Sequence, residues 1–266
     1  LTKVVCVVLA AATVVMGCTS AKHAAPGSTT TVASTTTAPG DPAKAGASAS
    51  RDVATATLPA LGPSPHFVEI SRFRGPAPAA GLTTAIQGIA LVLRGIQSIG
   101  FREGPRLVIR SVGAGGGVVV GPQANLFDRS ATADDLLFAC LRPSTDRGAL
   151  VAVSAAKVAY VSDDLTGLPP GPVQETLTVI EEQPGGRDGA HTHPGPAVEL
   201  VLDGNVTFRL GGKPPLTLGA GGAFVADANE LVQPVNAGRS VARLIEFVVA
   251  PAGLPARAEV DQVPQA

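Results

Sequence analysis

Two stretches of this 266-residue chain repeat each other at nearly one spacing. Residues 88–95 line up with 197–204 at an offset of 109, and 116–122 with 221–227 at an offset of 105. Both copies close on an apolar run ending in proline, at 136–143 and 244–251. The runs in and between them are three to six residues long, largely apolar, and bounded by Gly, Pro, Asp or Asn, as strands are. No stretch of comparable length carries a period of 3.6. A repeat of this size in such a chain predicts an all-β protein of two similar barrels in tandem, each covering sheet edges of the other. The 31 Gly and 23 Pro supply the turns, and all eight Phe and the single Tyr fall between Phe67 and Phe247, which puts the folded part at about 66–255.

Upstream of the repeat the composition changes. Lys3 precedes an apolar run over 4–17, 14 residues, shorter than the roughly 20 needed to span a bilayer as a helix. It reads as the core of a signal peptide. Its end, Val15-Met16-Gly17-Cys18, resembles the lipobox of bacterial lipoproteins. That resemblance implies cleavage before Cys18 and lipidation of Cys18, hence a membrane partner and a place on the extracytoplasmic face of the cell membrane. Residues 19–65 hold no aromatic residue and are dominated by Ala, Thr, Ser, Pro and Gly, the composition of a disordered linker. As a flexible coil such a tether spans about 35–40 Å.

Charge and cysteine content exclude two classes. Twenty Lys plus Arg against 21 Asp plus Glu leave no basic excess to meet a phosphate backbone, so nucleic acid is not a partner. Cys6 leaves with the signal and Cys18 carries lipid, so Cys140, inside an apolar run, remains as a buried and inert thiol with no disulfide partner.

The strongest chemical signal is Gly185-x5-His191-Thr192-His193, followed by Pro194, Gly195, Pro196 and Ala197 and closing at Gly204. Two histidines at i and i+2 on a strand project from one face, so both imidazoles reach one ion if that face lines a cavity. This segment resembles the first motif of the cupin superfamily, G-x5-H-x-H-x3/4-E-x6-G, and a second motif, G-x5-P-x-G-x2-H-x3-N, lies over 221–236. The resemblance covers about 174–251 and implies jelly-roll barrels, with four metal ligands in a complete site. Here Gly221 and Asn236 match, but Asp227 and Asn229 replace Pro and Gly, Val232 replaces the ligand His, and Ala197 stands at the Glu position. Glu199, two residues on and so on the same face, is the third candidate ligand with His191 and His193 for one divalent ion such as Fe, Mn, Ni or Zn. Its other reading is an ion pair with Arg209 or Arg243. In the first copy the corresponding positions are Leu82, Thr84 and Phe127, with no ligand among them.

The domain organisation expected is a signal over 1–17, the lipidated Cys18 and linker over 18–65, a degenerate cupin-like barrel over 66–148, a second cupin barrel over 149–255 and a tail over 256–266. Two functions follow. One is an anchored, non-catalytic two-barrel protein with an eroded metal site that binds a small-molecule ligand or serves as a scaffold. The other is a metal-dependent enzyme of dioxygenase or isomerase type working through His191, His193 and Glu199. Other signals are weaker. The glycine run 113–117 leads into a strand and reads as a turn, not a phosphate cradle. Glu246, which interrupts the last apolar strand, faces the barrel beside Glu199 or lies at an edge. His66 is expected at an exposed domain edge.

Overall fold

The computed structural model describes residues 46–75, 82–103, 106–128, 134–148, 153 and 156–261. The expected signal, Cys18 and most of the linker lie outside them. Among the described residues, nineteen strands run in chain order: β1 (Ser48–Leu58), β2 (His66–Gly75), β3 (Leu82–Thr83), β4 (Gly88–Arg94), β5 (Ile96–Glu103), β6 (Arg106–Gly113), β7 (Gly117–Val120), β8 (Asn125–Asp128), β9 (Asp134–Pro143) and β10 (Lys157–Val161). They continue with β11 (Val173–Glu182), β12 (Ala190–Thr192), β13 (Ala197–Asp203), β14 (Asn205–Leu210), β15 (Lys213–Gly219), β16 (Ala223–Ala226), β17 (Val232–Val235), β18 (Ala242–Pro251) and β19 (Ala258–Val260). The fold is all-β, two cupin-like jelly-roll barrels. The first is built from sheets β10-β2-β9-β4-β7 and β3-β8-β5-β6, the second from β1-β11-β18-β13-β16 and β15-β14-β17-β12-β19.

The outer strands are exchanged. β1, which precedes the first barrel, pairs with β11 of the second, and β10, which follows the first barrel, pairs back onto β2. The linker therefore does not run to residue 65: its last part, from Ser48, is a strand. Composition hid this because β1 buries only Val53 and Ala56 fully, and its other side chains are polar or partly exposed. Likewise the first barrel extends past residue 148 to β10, and the second past 255 to β19. The glycine run is the expected turn, and its last member is fixed by β1. A Cβ on Gly117 would sit 2.9 Å from the Val53 side chain, and Arg51 donates to the Gly115 carbonyl at 2.6 Å.

Alternation along the paired strands builds three cores. In β13, Val198, Leu200 and Leu202 face the other barrel while Ala197 and Val201 face inward. In β18, Ile245, Phe247 and Val249 face across while Leu244 and Val248 face inward. β4 and β9 do the same in the first barrel, with Ile89, Leu91, Leu137 and Ala139 across and Ala90, Val92, Leu136 and Phe138 inward. Strands buried on both faces read as continuous apolar runs, which is why these segments show no polar alternation in sequence. Cys140 is buried in the first barrel, and burial, then the charges of Glu175 and Glu69, push its thiol up. His66 is buried as well, not exposed, at 7%.

Candidate metal centre

Two inward positions in the second barrel are not apolar. Glu199 on β13 and Glu246 on β18 are directly opposed Cα partners, and both are completely buried. Like charges facing each other across a ladder repel, and burial raises the cost further. In the first barrel the same register position holds Ala90 opposite Phe138, so an aromatic ring fills the place taken by the two carboxyl groups in the second. The first barrel has thus become a packed core.

The histidines arrive from the other sheet. His191 lies on β12 and His193 just past its end, and both are fully buried. Gly195 lets the chain turn from them into β13, because a Cβ there would lie 2.0 Å from the Val249 carbonyl oxygen. His191 Nε2 stands 2.8 Å from Glu246 Oε1, and His193 Nε2 stands 3.6 Å from Glu199 Oε1. One ligand atom from each of the four residues lies within 4.8 Å of the others. The structure therefore brings together the three residues singled out in the sequence and adds Glu246, whose signal was its lone charge in an apolar strand.

The rings are oriented from behind. His193 Nδ1 is 2.9 Å from the carbonyl oxygen of Ala256, which can only accept, so Nδ1 carries the proton and Nε2 turns a lone pair on the interior. At His191, Nδ1 has the Gly189 carbonyl at 2.8 Å and Arg257 Nη2 at 2.9 Å. With the proton on Nδ1 it donates to Gly189 and frees Nε2. With the proton on Nε2 it donates to Glu246 and accepts from Arg257. Arg257 is also paired with Asp188 at 2.8 Å and Glu259 at 2.9 Å. Neither Arg257 nor Asp188 was legible as part of the site.

Electrostatics separate the two carboxyl groups. Burial and the neighbouring Glu246 push Glu199 well up. Burial also pushes Glu246 up, but the hydrogen bond from His191 and the charges of His191, His193 and Arg257 outweigh it and hold Glu246 below its ordinary value. Burial pushes His191 down, and Glu246 reverses this, leaving the imidazole up. The cations named as alternative partners of Glu199 are elsewhere: Arg243 reaches Glu181 at 3.2 Å, and Arg209 is exposed on β14.

The residues fit a divalent ion. Among the described residues, His193 Nε2 and both Glu199 oxygens are buried without a hydrogen-bond partner, and His191 Nε2 and Glu246 Oε1 face each other at 2.8 Å, so that four ligand atoms meet in one volume. The N2O2 donor set suits a first-row divalent metal, and the carbonyls behind the rings supply the outer contacts that metal-bound histidines use. The remaining motif residues serve the backbone. Asn236 Nδ2 donates to the carbonyls of Glu182 and Ser240, and Gly204 and Gly221 have φ of +80° and +86°. Val232, opposite His191, is buried and gives no ligand, and Ala197 packs in the barrel core. In the first barrel Leu82 is core and the Thr84 hydroxyl donates to the Gly121 carbonyl at 2.7 Å. Pairing places Leu126, not Phe127, opposite Leu82, because the two copies differ in loop length.

No curated protein sequence matches the chain. Among solved structures, an oxalate decarboxylase from Bacillus subtilis is 11% identical, with 77% of each chain covered and a TM-score of 0.49. The Lactobacillus farciminis oxalate decarboxylase is 12% identical over 79% of each chain, TM-score 0.46. A Klebsiella pneumoniae protein with a double-stranded β-helix domain is 21% identical over 33% of this chain and 76% of its own, TM-score 0.30. These are likenesses of fold. The part of the chain that carries the four converging residues is the part that matches a family model, the Cupin domain, over residues 178–249.

Proposed function

We propose that the chain is a metal-binding two-barrel protein in which His191, His193, Glu199 and Glu246 hold one divalent ion in the second barrel while the first is structural. The observation that carries this is the convergence of four ligand atoms in a buried volume: the lone pair of His193 Nε2 faces Glu199 at 3.6 Å, Glu199 is the ladder partner of Glu246, and His191 Nε2 stands 2.8 Å from Glu246. A cation satisfies all of them at once. An ion with positions beyond these four ligands would polarise a bound small molecule. His193 and Glu199 are held for that task, the first by the Ala256 carbonyl and the second by its ladder position.

Purified full-length chain, stripped with chelator and reloaded, is expected to hold one equivalent of metal by elemental analysis, and His193→Ala none. Two equivalents, or full retention in His193→Ala, would overturn the assignment.

We further propose, from the sequence alone, that the protein lies outside the cytoplasmic membrane, tethered by lipid on Cys18. Its support is the lipobox-like Val15-Met16-Gly17-Cys18 and the linker behind it. In bacterial expression the parent should sediment with membranes and incorporate labelled palmitate, and Cys18→Ser should do neither. Unchanged labelling in the variant refutes the anchor.

A further inference from the structure

We propose that the C-terminal segment, residues 252–261, is a strap that completes the metal centre: its backbone holds His193 in the ligating orientation, and its single layer keeps the ion in. This rests on the metal reading above. Sequence assigns most of the segment to a tail, yet β19 pairs with the histidine strand, Ala190 opposite Val260, His191 opposite Glu259 and Thr192 opposite Ala258.

Three features give the strap this role. First, the contact that fixes His193 is a backbone oxygen of the strap, Ala256, and Arg257 beside it reaches Nδ1 of His191. Contacts behind a metal-bound histidine are worth about 10- to 100-fold in metal affinity. Second, the wall there is one strand thick. β19 is the edge of its sheet, with Ala258 and Glu259 exposed, while the histidines directly beneath it are fully buried. Third, the strap is lightly held. Leu254 is 47% exposed, none of its residues is fully buried, and its side-chain contacts with the barrel are those of Ala256 with the core and of Arg257 with Asp188, His191 and Glu246. Edge elements with few buried apolar contacts open at low free-energy cost. All four ligands are shut from solvent, so an ion enters or leaves only when part of the wall moves, and the strap is the part that opens most easily.

A reversible lock tests this in one protein. Thr192 and Ala258 are directly opposed, a separation that a disulfide spans. Cys140 is buried and does not compete, and Cys6 and Cys18 are replaced by Ser in all the proteins compared. In Thr192→Cys/Ala258→Cys loaded with Zn(II), release to a chromogenic chelator should be at least tenfold slower in the oxidised than in the reduced form. A chain ending at Ala252 should release Zn(II) at least tenfold faster than the full chain, with its folding checked by circular dichroism in chelator. Equal rates in the oxidised and reduced forms, or a folded truncated chain that keeps Zn(II) as well as the parent, overturn the strap and leave the metal site standing. A full chain that takes up no Zn(II) overturns the metal reading and the strap with it.

Discussion

Glu199→Gln is expected to lower metal affinity at least 100-fold while leaving the metal-free protein as stable as the parent, within about 1 kcal/mol. Glu199 and Glu246 are opposed in a dry interior, and without a cation both cannot be charged. Their surroundings decide which one gives way. Glu246 has the hydrogen bond to His191 and the charge of Arg257 and stays ionised, whereas Glu199 is driven up and keeps its proton. An amide is nearly isosteric with a neutral carboxylic acid, so the metal-free barrel loses little by the change. It cannot replace a carboxylate on a divalent ion, and a 100-fold loss corresponds to about 3 kcal/mol.

Glu246→Gln should behave differently. It also loses the ion, and it destabilises the metal-free protein by a few kcal/mol, since it removes the charge that offsets His191 and Arg257 in the interior. Competition titration gives the affinities, and thermal melts in chelator give the stabilities. If Glu199→Gln melted far below the parent in chelator, Glu199 would be a structural charge and the division of labour between the two acids would be wrong.

Much of this site was legible because its elements are local. The H-T-H triplet and Glu199 lie within nine residues, and a two-residue spacing fixes the shared face whatever the fold does elsewhere. The repeat was legible for a related reason: strands buried on both faces need apolar side chains at every position, and such runs align. The parts that stayed hidden depend on long-range pairing. β1 has the composition of a linker and becomes a strand because β11 offers an unpaired edge 121 residues away from Thr55, at Thr176. Glu246 was visible as an anomaly, but its register against Glu199 is set by the whole barrel. Arg257 and the Ala256 carbonyl follow the last apolar strand. One of them acts through its backbone, which carries no sequence signal. The motif position held by Val232 explains the apparent erosion: a histidine is missing from β17, while Glu246 on β18 brings a carboxyl group to the same cluster.

Glu175→Gln is expected to raise the melting temperature by about 10 °C at pH 9 and to leave it nearly unchanged at pH 5. Glu175 belongs to the face of β11 that packs between the barrels, alternating with the core residues Val173 and Leu177. It is completely buried, and its Oε1 accepts the N–H of Leu141, beyond the last pairing of β9 with β4 at Ala139. Its Oε2 has no hydrogen-bond partner. Burial pushes this carboxyl up to about 8 from an ordinary 4.5, against the opposing effect of the Leu141 N–H. A raised acid favours folding fully below its unfolded value, and the advantage is lost as pH climbs from about 4.5 through about 8, where the folded state must either ionise a buried group or unfold. At 1.36 kcal/mol per unit, the loss by pH 9 is on the order of 5 kcal/mol. Glutamine keeps an oxygen for Leu141 and has no charge to bury, so the variant escapes the loss, and a few kcal/mol moves the melting temperature of a domain this size by about 10 °C. Glu182, pushed up to about 7 by burial, titrates in both proteins and drops out of the difference. Melting curves of parent and variant at pH 5 and pH 9 therefore report on Glu175 and on the Cys140 thiol that its charge pushes up. A difference that is the same at both values would mean that Glu175 is already ionised between the barrels, held by something other than the Leu141 N–H.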